Sequence, residues 1–340
     1  MKAAIYYGKE DVRIEERNAP VCGDNDIIIK NRYASICGTD VAVYTHGPNT
    51  GHKITVGEEF GHEVVSEVAE VGKNVKGISV GDIVYPYPLL ATGDTKRAGT
   101  IGGFSQFIRI PDCEIGKQIY KVSDKILLRA AALIEPFTVG TRAARRSDPK
   151  PGEKAVVFGA GTIGIAAAMS LKQIFGCSQV MLADVSEFRL EKAKGLGFSV
   201  CNPAKQDVQE EMTKVFGEAH GLGGMTARTD IFIDAAGAES VLDAFMKIGK
   251  IGSRFVAVAV NNALKQLDIL HLTYAQKSII GSGGYMPEDV CDVMQLMESG
   301  VYDIESIITH EFPLTDISKA IETAADTENS LNVIINHEKQ

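Results

Sequence analysis

The chain carries no surplus of basic charge. Its 340 residues hold 35 Lys and Arg against 44 Asp and Glu, a formal net charge of −9. A nucleic-acid partner needs a positive footprint. The densest basic stretch, Arg142, Arg145 and Arg146, is too short to supply one and reads as the solvated face of a helix. The opening residues, MKAAIYYGKEDVRIEE, alternate and are charged, so they lack the apolar core of a secretory signal. Long hydrophobic runs are also scarce. The longest uncharged run, AVVFGAGTIGIAAAMSL at 155–171, is interrupted early by three glycines. A buried strand followed by a helix accounts for it better than a membrane span. The six cysteines are scattered with no CxxC pair, which argues against a disulfide framework or a clustered-thiol metal knot. The expected setting is the reducing cytoplasm, with no membrane or nucleic-acid partner. Internal repeats and low-complexity tracts are absent as well.

What is present is apolar material for about two ordinary domains, 45% of the residues, with 23% charged. The first ~140 residues are rich in short β-type runs, IIIKNRYASI, EVVSEVAEVG, DIVYPYPLL and GGFSQFIRI, separated by turn residues such as Gly81-Asp82 and Gly102-Gly103. After Pro149-Lys150-Pro151-Gly152 the style changes. KAVVFGAG and QVMLADV read as apolar strands and TIGIAAAMSLKQIFG and SEFRLEKAKGLG as helices. A helix around QEEMTKVFGEAHG, the strand DIFIDAAG, the helix ESVLDAFMKIG and the strand RFVAVAV continue the alternation. Continuously apolar strands alternating with helices predict a parallel sheet covered on both faces. After KSIIGSG come two more helices, PEDVCDVMQLMESG and TDISKAIETAAD, and a last strand, SLNVIINH. The expected class is α/β. A mostly β domain over 1–141, completed by 277–340, holds a doubly wound parallel-sheet domain over 142–276.

Gly159-Ala160-Gly161-Thr162-Ile163-Gly164 fits GxGxxG, directly after a strand and opening a helix. Such glycines allow a tight turn, close approach of backbone to a pyrophosphate, and close helix–strand packing. The helix N-terminus offers free N–H groups to the phosphates. Asp184 ends the next strand twenty residues after Gly164, placed to accept from both ribose hydroxyls and to repel a 2′-phosphate. The cofactor expected is therefore NAD. Arg189 is the competing feature, since an Arg can face a 2′-phosphate.

Residues 57–63 read GEEFGHE, three carboxylates and one imidazole. Locally this is a metal site, an acid/base pair or an acidic turn, and only partners elsewhere can separate these. Cys37, 25 residues before His62, sits in Ala34-Ser35-Ile36-Cys37-Gly38-Thr39-Asp40 beside a flexible Gly and two polar residues, an odd setting for a core filler. A thiolate and an imidazole are good zinc ligands, and a catalytic zinc takes three protein ligands plus an open position.

With these segments in order, the chain resembles the zinc-dependent medium-chain dehydrogenases, most of all the sorbitol, polyol and butanediol branch. CGTD, GHEVVSEVAEVG with VGDIV, GGFSQFIRI, ALIEPFTVG and IITHEFPL each match a family segment, at matching spacing. The resemblance implies a GroES-like catalytic domain with a Rossmann-type domain set within it. It implies one catalytic zinc held by Cys37, His62 and an acid. In the polyol branch Glu63 can be the direct ligand while Glu135 hydrogen-bonds the zinc-bound water, and the two can exchange roles. Both therefore stand as metal and acid/base candidates. Asp40 resembles the acceptor that orients His62, and Thr39 the hydroxyl that passes on the alcohol's proton. Glu58 and Glu59 have no family role and read as surface charge.

Departures matter too. The family's structural zinc lobe has four clustered cysteines, and residues 85–106 contain none. The usual relay His corresponds to Ala42, with His46 or His52 as substitutes. The substrate-gripping Arg of the polyol branch corresponds to Gly284, beside Tyr285, and GSGGYMPEDV is similar to butanediol-type relatives. The implied activity is NAD-dependent dehydrogenation of a secondary alcohol, diol or polyol, or reduction of the matching ketone, by a homodimer or homotetramer. Two rivals are a metal-free reductase of the same fold and a nucleotide-binding sensor without turnover.

Overall fold

The structure, a computed structural model, describes residues 1–51, 53–94, 96, 99–260 and 264–339. Contacts divide the chain into two units, Met1–Glu135 with Ile304–Gln340, and Pro136–Asp303.

In the first unit the strand Ile27–Ser35 is the organiser. It pairs antiparallel with Glu63–Val71 on one side and with both Asn332–Asn336 and Phe107–Ile110 along the other. Ile308–Pro313 extends the sheet beyond Asn332–Asn336, and Ile83–Pro86 and Ile119–Lys121 extend it beyond Glu63–Val71. A second sheet joins Lys2–Gly8 to Asp11–Glu16 and to Glu58–Glu59. The β-branched runs noted in the sequence supply the core between these elements, with Ile27, Ile29, Val64, Val68, Phe104 and Ile335 fully or almost fully buried. The C-terminal strand is interior to the sheet, so the unit is completed by residues from the far end of the chain.

In the second unit six strands lie parallel in the order Ser199–Cys201, Gln179–Ala183, Lys154–Phe158, Ile231–Asp234, Arg254–Ala257, Ser278–Gly281. This is the doubly wound order, with the topological switch between Lys154–Phe158 and Ile231–Asp234. The helix Thr162–Gln173 is buried along most of its length, as its Ala-rich and all-round apolar sequence requires.

Two sequence expectations need correction. The helix read through QEEMTKVFGEAHG ends earlier. Val208–Phe216 is helical and Gly217, at φ 76°, terminates it. Glu218–Gly221 then pairs antiparallel with Gly224–Ala227 as a hairpin. The domain boundaries also differ from 141/142 and 276/277. Ser278–Gly281 adds to the edge of the parallel sheet, and Arg145 pairs with Asp289 and Asp292 of the helix Pro287–Glu298. Residues 277–303 therefore belong with the nucleotide-type unit rather than with the C-terminal return.

Candidate active site

Sheet register builds the first cluster. Ser35 pairs with Glu63 across the ladder, so the chain running on to Cys37 passes His62, although 25 residues separate them in sequence. Cys37 is the N-cap of the helix Gly38–His46, and the Asp40 carboxylate accepts from the Cys37 amide at 3.0 Å. Donor atoms of Cys37, His62 and Glu63 all lie within 4.8 Å of one another, with His62 and Glu63 buried. Among the described residues no other group of three His, Cys, Asp or Glu converges in this way.

Electrostatics make the cluster unusual. Burial first, then the carboxylates of Glu63, Asp40 and Glu135, push the Cys37 thiol well above its ordinary pKa, while a hydrogen bond with Thr39 works in the other direction. A thiol buried beside three carboxylates is a poor resting arrangement for any of them. A divalent cation would reverse each of those penalties, and one sulfur, one imidazole nitrogen and one carboxylate suit zinc. The residues present therefore fit the metal.

The structure brings Glu135 into the same electrostatic environment, 7% exposed at the start of the helix Ile134–Arg146, but its oxygens are outside the 4.8 Å group. Asp40 Oδ1 lies 3.9 Å from His62 Nδ1, longer than a hydrogen bond, so its firm contact is with the Cys37 backbone. Glu58 is exposed, and with Glu59 it forms a two-residue strand against Lys2–Gly8. His46 is exposed at the end of its helix, and His52 lies outside the described residues.

In the second unit the three-residue loop Gly159–Gly161 joins Lys154–Phe158 to the helix Thr162–Gln173, with Gly161 as N-cap. The three glycines have separate reasons. Gly159 takes φ 100°, and a Cβ there would meet Ala235 at 2.8 Å. A Cβ on Gly164 would stand 1.8 Å from the Gly159 carbonyl oxygen. Gly161 is different, since a Cβ would meet only Arg189 Nη1, at 3.6 Å. Open space over Gly161 is what a pyrophosphate needs, and the Arg189 guanidinium borders it. Asp184 Oδ2 accepts from the Ala160 amide at 2.6 Å and Oδ1 from Ser186 at 2.8 Å, so the acid is fastened to the loop with lone pairs remaining for ribose hydroxyls.

One residue was missed in the sequence. Asp234 ends the strand beside the switch point, and its Oδ1 accepts from Ala236 at 3.1 Å and Gly237 at 2.8 Å. Burial raises its pKa, against those two hydrogen bonds. It shapes the turn that packs on Gly159. An acid followed by Ala-Ala-Gly at a strand end was the available signal. Gly284 takes φ 61° and Tyr285 is buried in the second unit.

Comparison with known proteins bears on both units. Residues 23–122 match the alcohol dehydrogenase GroES-like domain, and residues 162–299 match the zinc-binding dehydrogenase family. The chain belongs to the zinc-dependent medium-chain dehydrogenases. It is 29% identical to an (R,R)-butanediol dehydrogenase of Bacillus subtilis, over 93% of this chain and 94% of that one. It is 28% identical to the sorbitol dehydrogenase of Bos taurus, over 94% and 92%. The crystal structure of the B. subtilis 2R,3R-butanediol dehydrogenase superposes with a TM-score of 0.84 at 25% identity, covering 98% of this chain and 99% of that one. The first unit is thus GroES-like and the second Rossmann-like, in the butanediol and polyol branch of the family.

Proposed function

We propose that the protein oxidises a secondary alcohol, diol or polyol, or reduces the matching ketone, with NAD as the hydride carrier and one zinc per chain. The observation that carries this reading is the convergence of Cys37, His62 and Glu63 in a GroES-like unit. Those three residues are the assigned ligands, with Glu135 close enough to act on the site without joining the set. Zinc bound there supplies a Lewis acid that lowers the pKa of an alcohol hydroxyl toward neutrality.

The chain's own residues do the rest. Asp40 holds the Cys37 amide, fixing where the sulfur is presented. Thr39, already hydrogen-bonded to Cys37, offers the hydroxyl through which the alcohol's proton leaves. Glu135 supplies a nearby carboxylate that accepts a proton or a hydrogen bond at the same stage. In the second unit Gly161 leaves room for the pyrophosphate and Asp184 receives the ribose hydroxyls. NAD bound there would supply the hydride acceptor, taking hydride from the alcohol carbon while the hydroxyl proton left to solvent, a balance of ketone, NADH and a proton. His46 is exposed, His52 lies outside the described residues, and water is taken as the exit for the proton.

Two further features follow from the same reading. The strand Ser278–Gly281 is the outer edge of its sheet, and near it in sequence Leu264, Ile269, Leu270 and Tyr274 are strongly exposed. An open edge beside apolar surface supports a homo-oligomer, a dimer or tetramer. Free cysteines throughout, and no helix long and apolar enough to cross a membrane among the described residues, support a cytoplasmic location.

The test pairs elemental analysis with turnover. The expected result is about one zinc per chain and NAD reduction with small vicinal diols or polyols, lost on chelation and regained with zinc. Full activity without metal would favour the metal-free reductase. Zinc and NAD binding without turnover on any alcohol or ketone would favour the sensor.

A further inference from the structure

Behind the GHE segment lies a buried polar cluster with no part in the reading above. Asn31, on the organiser strand, is fully buried and faces Ser66, also fully buried, directly across the ladder. Ser66 Oγ donates to Asn31 Oδ1 at 2.7 Å. The Asn31 amide nitrogen then reaches three backbone carbonyls of one turn, Ser105 at 2.6 Å, Gly102 at 3.1 Å and Gly103 at 3.3 Å. Three carbonyls can only accept, so the NH2 end must face them and the orientation of the amide is fixed by chemistry. From the other end of the chain, His337 Nε2 donates to the same Gly103 carbonyl at 3.0 Å, while the His337 amide donates to Arg32 at 3.0 Å. His337 Nδ1 is buried and has no hydrogen-bond partner among the described residues. The described hydrogen bond of its ring is the one to Gly103.

The turn held in this way is the wall against which His62 sits. Gly103 donates its N–H to Gly61 O at 3.0 Å and Phe104 donates to Phe60 O at 3.1 Å. The backbone at Gly103 is so close that a Cβ there would be 3.1 Å from the backbone nitrogen of His62. Gly61, at φ 89°, is closed in by the Phe104 ring, 2.6 Å from where its own Cβ would be. The peptide leading into His62 and Glu63 therefore inherits its position from the Gly102–Ser105 turn, and that turn inherits its position from Asn31 and His337.

We propose that Asn31 and His337 are positioning residues for the metal centre, acting through the Gly102–Ser105 turn on His62 and Glu63. The inference rests on the zinc reading of that site. Buried amides are tolerated only when their partners are all present, as they are here. Partners that hydrogen-bond a metal's ligands directly tune affinity about 10-fold to 100-fold, and Asn31 and His337 act from further back through the turn, so the low end of that range is the ceiling expected here.

The experiment is zinc affinity, measured on the purified full-length protein by competition with a chromophoric chelator at neutral pH. His337→Leu removes the donor to Gly103, and His337→Gln keeps an N–H there. The expected result is zinc bound about 10-fold more weakly by His337→Leu and within about threefold of wild type by His337→Gln. Melting of the metal-free proteins is followed alongside. A merely structural role would lower the melting temperature of His337→Leu while leaving the zinc affinity of the folded protein unchanged, and that result overturns the proposal. Should His337→Leu fail to fold, Ser66→Ala reads the same quantity, since it releases Asn31 Oδ1 while sparing the three carbonyl contacts. Its zinc affinity should fall about threefold, and an unchanged value again overturns the proposal. Wild type that binds no zinc at all removes the metal reading itself, and the proposal with it. The wild-type measurement thus separates that failure from failure of the positioning role.

Discussion

In the parallel-sheet unit the nucleotide loop is one stretch, Gly159 to Gly164, and its acid follows on the neighbouring strand. In the β-rich unit the thiol, imidazole and carboxylates come from residues 37, 40, 62, 63 and 135, and the wall behind them from residues 31, 66, 102–105 and 337. The first site is a loop that needs a helix beneath it. The second is an assembly that needs a whole sheet in register, including a strand from the C-terminal end. A local site tolerates change in distant packing and is damaged mainly from within. A dispersed site can be damaged from any segment that carries it, even where the segment never approaches the substrate.

The largest effect that would sharpen this contrast is at Cys37. Cys37→Ser should lose zinc and lower kcat/KM by on the order of 10^3-fold, while NAD binding, measured by fluorescence titration, stays near wild type. Coupled loss of NAD binding would break the separation of the two sites. Next come the glycines of the loop, where two alanines should behave differently. Gly164→Ala drives a methyl into the Gly159 carbonyl and should cost about 3 kcal/mol of stability together with NAD affinity. Gly161→Ala finds open space, so its melting temperature should hold while NAD affinity falls about 10-fold. Equal melting temperatures for the pair would show that the loop is less tightly packed than its geometry indicates.

A smaller effect concerns Asp184. A 2′-phosphate would bring like charges into contact, on the order of a few kcal/mol at about 4 Å before screening. Wild type should prefer NAD by tenfold or more in kcat/KM, and Asp184→Ala should shrink that ratio. A wild type that prefers NADP would shift the reading to Arg189, whose guanidinium borders the same loop.

The smallest is a pH effect from the far wall of the metal site. Burial pushes the pKa of His337 down to about 4 from its ordinary 6.5, against the bond to Gly103. The unfolded chain binds a proton in that interval and the folded chain does not. This contribution is complete above about pH 6.5 and is lost as pH falls toward 4. Thermal melts at pH 7 and pH 5 should show a decline, a few degrees of it missing from His337→Gln. An identical decline in the variant would mean that other groups carry the acid sensitivity.

Much was legible before the fold was known. GAGTIG after AVVF, with Asp184 one strand later, is a complete local statement, because the turn, the helix start and the next strand end are all set by short-range steric rules. CGTD and GHE were legible as ligand types. The helix read across Glu218–Gly221 failed because Gly217 ends the helix and the next residues find strand partners only a few positions on. The boundary at 277 failed because a four-residue edge strand, Ser278–Gly281, carries too short a pattern to declare which sheet it joins. Asn31, Ser66 and His337 carry no motif in the sequence that marks them out, and Asp234 is marked only by the Ala-Ala-Gly that follows it at a strand end.

By itself the sequence determined most of the alternation of strands and helices and the nucleotide loop, since these depend on neighbours a few residues apart, and it offered Cys37, His62 and two acids as candidate donors. Only the tertiary structure showed that donor atoms of Glu63, Cys37 and His62 converge, and that residues from both ends of the chain hold the turn behind them. The reason is that ladder register and buried hydrogen bonds join residues separated by up to hundreds of positions, and no local preference records which partner a buried amide or carboxylate will meet.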